Sequence, residues 1–213
     1  SKEGAIELGL EYVRNVPDFE INFGTARSRL ARKKKRHSME QEYVQAINFY
    51  LARPPKYKVI AIEIRATAQV DELPLPIKAV SDLVVQSAID KNALDIVDHK
   101  FVDHFSAYGV HKTLFIIQAL FNYYTVQALY GKPVKRFILQ ECKKRKNKDG
   151  SSQMRKYVIN FDECEEEFRV FRRLLHDATE HVEHTRTFLP NPSDMFEGEN
   201  SFDIYRLNLA ESE

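Results

Sequence analysis

The chain has no tryptophan, two cysteines and seven glycines in 213 residues, and each scarcity removes a class of protein. Two lone thiols, Cys142 and Cys164, can build neither a disulfide framework nor a four-thiolate metal centre. A reducing, intracellular setting is therefore expected, cytoplasmic for a prokaryotic or phage protein. Seven Gly and eight Pro exclude a Gly/Pro-rich low-complexity chain. The longest apolar stretches, Lys58–Ile64 and Leu114–Phe121, are far shorter than the ~20 residues a bilayer crossing needs, so no membrane span is expected. The chain opens at Ser1 with neither Met nor an apolar signal region, which reads as a trimmed or excised module. No Gly-x-Ser-x-Gly occurs and neither Cys has a nearby His, so covalent hydrolase chemistry has no support. The segment GVHKT lacks the glycines of a phosphate loop, which excludes ATP binding on that ground.

What is present fits one globular domain over 1–213, with 43% apolar and 30% charged residues, long enough to bury a real core. The net charge of +1 conceals strong segregation. Ile21–Met39 contains no acid, and seven of the ten residues from Arg27 to Arg36 are basic: Arg27, Arg29, Arg32, Lys33, Lys34, Lys35 and Arg36. A second run, Lys132–Lys156, holds ten Lys/Arg against Glu141 and Asp149, with Lys143, Lys144 and Arg145 at its centre. Such patches suit a polyanion, because each neutralised phosphate releases counterions. A solvated helix face and a hairpin tip would give the same two runs.

Periodicity divides the chain into a helical N-terminal part (1–53), a core (57–130), a hairpin and helix (134–187) and an irregular tail (188–213). Helices are expected at Glu3–Arg14, Thr25–Leu51, His111–Tyr130 and Asp162–Thr187. The third should turn Leu114, Ile117, Phe121, Thr125 and Ala128 to one face, and the fourth Phe168, Phe171, Leu175 and Ala178 inward. Strands are expected at Tyr57–Arg65, Ile77–Ser87, Leu94–Phe101, Val134–Cys142 and Met154–Phe161. The economical architecture is α/β, a central mixed β-sheet flanked by helices.

The chemistry concentrates in Val80–Lys100. Residues two apart in a strand share a face, so Asp98 and Lys100 point one way and His99 the other. If the hairpin pairs residues whose numbers sum to 180, Asp82 lies across from Asp98, with Cβ atoms ~5 Å apart. Two facing carboxylates among Val and Ile repel, and one pKa must rise. A divalent ion resolves the conflict, since Mg²⁺ is held by one or two carboxylates plus water and substrate phosphate. Lys100 would flank that ion and stabilise negative charge developing on a phosphate. The bland alternative is a surface hairpin with an Asp/Lys ion pair.

Glu63, Asp82, Asp98-His99-Lys100 and Gln118, in that order, resemble the PD-(D/E)xK nuclease superfamily, in particular its RecB-like exonuclease branch. Members carry a G-x-x-D strand, a D-x-K strand and a Q-x-x-x-Y helix, and the likeness spans about Tyr57–Tyr130. It implies a restriction-endonuclease-like core and a Mg²⁺- or Mn²⁺-dependent deoxyribonuclease, exonuclease favoured over endonuclease. Asp82 and Asp98 would be metal ligands, joined by the His99 backbone carbonyl, and Lys100 the catalytic lysine. Gln118 would approach DNA or the active-site lysine. A His or Glu from the preceding helix commonly sits near the metal, which makes His37 and Glu40 candidates, and Glu63 is a further acid. DNA would be the partner, often beside a helicase or another replication or recombination protein, in recombination, repair, replication or phage DNA processing.

Two positions depart from the pattern: Ala79 replaces the Gly and Asn122 the Tyr. Phe188–Tyr205 has no Cys, so no iron–sulfur cluster of the kind some relatives carry is expected. Tyr123, with other aromatics of its helix, is a candidate for stacking on bases. His176, His181 and His184 are a conceivable zinc set but lack completing ligands. The rival readings are a catalytically silent nucleic-acid-binding module of the same fold, and an interaction domain whose hairpin charges are incidental.

Overall fold

The computed structural model describes residues 2–52, 54–71, 73–107, 109 and 111–184. The tail expected to be irregular, and the last residues of the fourth expected helix, lie outside these. Among the described residues, helix α1 spans Lys2–Asn15 and α2 Arg29–Ala52; strands β1, β2 and β3 span Val59–Ala68, Ile77–Gln86 and Leu94–Val102. Helix α3 (His111–Tyr130), strands β4 (Val134–Lys143) and β5 (Met154–Asn160) and helix α4 (Glu165–His184) follow. No described helix is long and apolar enough to cross a membrane.

The five strands form one mixed sheet in the order β1-β2-β3-β4-β5. β1, β2 and β3 are antiparallel neighbours, β3 and β4 are parallel, and β5 returns antiparallel to β4. A parallel pair needs a crossover, and α3 supplies it. The residues at the start of β3 and the middle of β4 are buried in unbroken runs, as expected of strands covered on both faces. One face packs Val84, Ile96, Phe137, Leu139 and Ile159 against α3 and α4 through Ala119, Leu120, Val126, Phe171 and Leu175. On the other, Val85, Val97 and Ile138 form a smaller cluster with Tyr57.

Several element boundaries, most by a single residue, and two buried faces differ from expectation. α2 starts at Arg29, because Ser28 caps it: the Ser28 hydroxyl accepts from the Ala31 amide at 3.1 Å, satisfying one of the orphan donors of the first turn. The last helix begins at Glu165 after a tight turn at Phe161–Glu163, and β1 runs on to Ala68. In α4, Thr179 is buried and Ala178 exposed, because the inward stripe steps by four from Leu175. In α3, Leu114 and Ile117 are exposed, while Ala119, Leu120, Asn122, Thr125 and Val126 are buried. That helix is apolar around most of its circumference, so its period does not select a face.

α1 docks on α2 with a close backbone approach. The Tyr43 hydroxyl donates to the Ala5 carbonyl at 2.9 Å, and the Tyr43 ring occupies the space where a Cβ on Gly9 would stand. Arg14 pairs with Glu40 at 2.9 Å beside this contact.

Candidate active site

β2 and β3 pair as Leu83↔Val97, Val84↔Ile96, Val85↔Asp95 and Gln86↔Leu94, the register in which residue numbers sum to 180. The ladder stops one step before Asp82 and Asp98. There the strands part, and the Asp82 carboxylate takes over a ladder role, accepting from the His99 amide at 3.1 Å. The pleat of β2 also slips at this point. The Ser81 hydroxyl bonds to Asn122 of α3, and Val84, three residues on, packs on the same side, although residues three apart in a regular strand face oppositely. Glu63, opposite Asp82 between the pairs Ile62↔Leu83 and Ile64↔Ser81, has φ +48°. A left-handed residue within a strand costs about 1–2 kcal/mol, and the β1–β2 ladder skips this one position while keeping its register on either side.

Asp98 is the buried centre of the site, with 2% of its surface exposed. Its Oδ1 accepts from the Gln118 side-chain amide at 2.7 Å and from the Lys100 ammonium at 3.2 Å. Oδ2 lies 3.0 Å from the Lys100 nitrogen but without hydrogen-bond geometry, so this buried oxygen has no hydrogen-bond partner. Burial pushes the Asp98 carboxyl above the usual carboxylate range; Lys100 opposes this, Asp82 adds to it, and Gln118 opposes it. Lys100 is half-buried, with its ammonium against the buried Asp98 carboxylate.

These features fit a divalent cation. A nearly buried carboxylate oxygen lacking a hydrogen-bond donor, beside a second carboxylate, is under-compensated negative charge, and hard oxygen donors of this kind suit Mg²⁺ or Mn²⁺. Asp82 and Asp98 are the side chains that would hold it.

The structure thus brings together Asp82, Asp98, Lys100 and Gln118. His99 is split between two faces: its amide serves Asp82, while its ring crosses to α2, where Nε2 lies 3.0 Å from the Tyr50 hydroxyl with the rings edge to face. Burial lowers the His99 pKa, against the pull of Asp82 and Asp98. Only its carbonyl remains for a metal on the Asp98 side. His37 and Glu40 are not brought to the carboxylates: His37 bonds with Gln41 and Glu40 with Arg14. Both lie more than two turns along α2 from Tyr50, ~15–20 Å away at ~1.5 Å per residue. Glu63 contributes backbone geometry, its side chain being exposed. Tyr123 packs between Tyr124, Phe161 and Phe168 at centroid distances of 4.7–5.4 Å, a structural use that leaves its ring in the α3–α4 contact. His176 lies among exposed Asp177 and Glu180 on α4, remote in the fold from the β2–β3 opening.

Three supporting contacts were not expected from sequence. Asn122, at the position of the expected tyrosine, is 2% exposed and accepts the Ser81 hydroxyl at 2.7 Å, tying α3 to the residue before Asp82. Tyr50 anchors the D-x-K strand from behind. Glu141, paired with Lys100 in the parallel register, is buried and binds both the amide and hydroxyl of Ser106, while Tyr157 donates to the Ser106 carbonyl at 2.8 Å. The loop from Lys100 towards α3 is pinned by these bonds.

Of the two basic runs, Arg27, Arg29, Arg32 and Lys33–Lys35 are exposed, and Arg36 is held by Asp18 at 2.5 Å. Lys143 and Arg155 flank the Phe105 ring, Lys144 faces Asp103 at 3.7 Å, and Arg145 pairs with Glu42.

No protein-family model matches the chain, and no curated protein matches it. Among solved structures, it is similar to a protein from Eubacterium rectale described as a "Putative exonuclease", with 11% identity and a TM-score of 0.48 over 94% of this chain and 80% of that one. A second similar structure, SSO0001, has 13% identity and a TM-score of 0.41 over 84% of this chain and 72% of that one.

Proposed function

We propose that the protein is a Mg²⁺- or Mn²⁺-dependent deoxyribonuclease of RecB-like type, with exonuclease action favoured. The observation that carries this reading is the convergence of Asp82, Asp98, Lys100 and Gln118 where β2 and β3 part, with a buried Asp98 oxygen lacking a hydrogen-bond donor. A divalent ion held by Asp82 and Asp98, with the His99 carbonyl as a further donor, would polarise the scissile phosphate and acidify a water. The residues of the chain do the rest. Gln118 holds one Asp98 oxygen and leaves the other without a hydrogen-bond donor. Lys100 favours the ionised form of Asp98 and presents its ammonium to the negative charge that develops on the phosphate. The Asp82 bond to the His99 amide holds the parted strands at fixed separation, so the donors need no reorganisation during reaction.

The basic residues Arg27–Arg36 and Lys143–Arg145 are the proposed DNA contacts, with a role in recombination, repair, replication or phage DNA processing and a helicase or similar protein as a further partner. End-labelled single- and double-stranded DNA, incubated with Mg²⁺, Mn²⁺ or EDTA, tests the activity. Metal-dependent cutting is expected, and a progressive ladder from one end identifies an exonuclease. Salt-sensitive binding without cutting would favour the silent module, and absence of both would leave the interaction domain.

A further inference from the structure

A densely positive groove lies at the start of α2. Arg27, Arg29, Arg32, Lys33 and Arg36 line it with Asp18 as the sole acid in the wall, and Asp18 is already engaged by Arg36 at 2.5 Å. The Arg36 guanidinium also donates to the Val16 carbonyl at 2.6 Å, which holds it in place. Arg32 sits 5.2 Å over the Phe23 ring. Five like charges around one groove with one occupied counter-charge repel one another, and a polyanion offsets that repulsion.

The other end of the same helix reaches the catalytic strand. Tyr50 contacts His99, one turn earlier the Ala46 carbonyl meets the Cys142 thiol at 3.9 Å, and a further turn back Glu42 pairs with Arg145. α2 therefore runs from the D-x-K strand outward past the carboxyl ends of β3 and β4. Beyond those ends, Lys35 shares a second cleft with Lys144 and Arg145, where Glu20, Glu42 and Asp103 also stand and Asp103 and Glu42 pair with Lys144 and Arg145; the two basic runs meet there, but the unpaired positive charge lies in the groove. At ~1.5 Å per residue, Arg36 lies roughly 20 Å and Arg29 roughly 30 Å from Tyr50 along the helix, and Tyr50 meets the His99 ring behind the strand face that carries Asp98, so these lengths give the span from groove to carboxylates to within about the thickness of the strand.

We infer that the groove at residues 27–36 is a second phosphate site for the DNA that enters the Asp98 site, and that their separation sets a minimum substrate length. This rests on the nuclease reading above. Phosphates of a duplex strand advance ~3.4 Å per step, so a duplex engages both sites only when it extends about 6–9 base pairs from the scissile bond. Shorter DNA reaches the carboxylates without the groove.

Fluorescein-labelled duplexes of graded length, from about 4 to about 20 base pairs, read by anisotropy in EDTA, test this against a variant with Arg29→Ala, Arg32→Ala and Lys33→Ala together. Wild-type affinity should climb steeply as length passes about 6–9 base pairs, and the climb should flatten in the variant. With ~0.9 counterions released per contacted phosphate, the log–log salt slope of the variant on long DNA should be shallower by about 2.7, so a fourfold rise in salt weakens the wild type about 40-fold more than the variant. A smooth wild-type length dependence, or an unchanged slope in the variant, overturns the inference; the wild-type series needs no mutant to fold. DNA cutting without the length step sinks this inference alone, whereas the step without metal-dependent cutting sinks the nuclease reading and leaves the groove as a polyanion site.

Discussion

Replacing Lys100 by Met keeps most of the stem's bulk and deletes the charge beside Asp98. Asp98 has 2% of its surface exposed and one hydrogen-bonding neighbour besides Lys100, Gln118. Breaking a fully buried pair costs about 3–5 kcal/mol, but the Lys100 side chain is 37% exposed, which places the expected loss nearer 2 kcal/mol. For a domain of this size that is roughly 4–8 °C in Tm. The loss is pH-dependent with a definite sign. Burial already raises the folded-state pKa of Asp98 above its ordinary 3.8, and removing Lys100 raises it further. The folded state then holds a proton that the unfolded state has released, so stability declines as pH rises from about 3.8 through the raised folded value, by at most ~1.4 kcal/mol per pH unit. Thermal melts of wild type and Lys100→Met at pH 5 and pH 8 should therefore diverge at the higher pH. Mg²⁺ should narrow the gap by supplying the missing charge, and Asp98→Asn in the Lys100→Met background should restore much of the stability. Equal Tm values at both pH values would refute the reasoning, because Asp98 would then not be a desolvated carboxylate dependent on Lys100.

Other expectations follow from single residues. Glu63→Gly removes a left-handed backbone penalty at φ +48° and should raise stability by up to about 1 kcal/mol in chemical denaturation; a loss would mean that the Glu63 side chain holds that conformation. Gly9→Ala drives a methyl group into the Tyr43 ring and should expose the first helix to limited proteolysis while sparing the sheet, as shown by mapping the cleavage sites. Burial pushes the Cys142 thiol up to about 11 from its ordinary 9.0. Iodoacetamide should thus label it slowly in the native protein at pH 8, and its contribution to stability, roughly 3 kcal/mol at most, should be lost as pH rises from about 9 to about 11. Rapid native labelling would contradict that burial.

The strands were legible from their Val- and Ile-rich runs, and the hairpin register from the short turn at Ala88–Ala93, which closes the pairing in which residue numbers sum to 180. That same parity placed Asp82 and Asp98 together, and the D-x-K spacing put Lys100 beside them. The parting of the strands was not legible. It coincides with a pleat slip at Asp82 and a left-handed Glu63, and neither residue type signals such a conformation. The inward face of α3 cannot be read from its period because apolar residues surround that helix; Gln118 reaches Asp98 and Asn122 meets Ser81 from it, and both are tertiary contacts. His37 and Glu40 followed only from the resemblance, and α2 instead approaches the site with its final turns, through Tyr50. Glu141 looked like an isolated acid in a basic run, and its bonds to Ser106 join residues 35 apart in sequence.

Asp98 is the residue on which the proposed chemistry turns. Cleavage of end-labelled DNA in Mg²⁺ or Mn²⁺ should be compared between wild type and Asp98→Ala, with DNA binding measured on the same samples. The wild type should cut and Asp98→Ala should bind DNA without cutting it. An Asp98→Ala protein that cuts at the wild-type rate would contradict the assignment of this site as the catalytic centre.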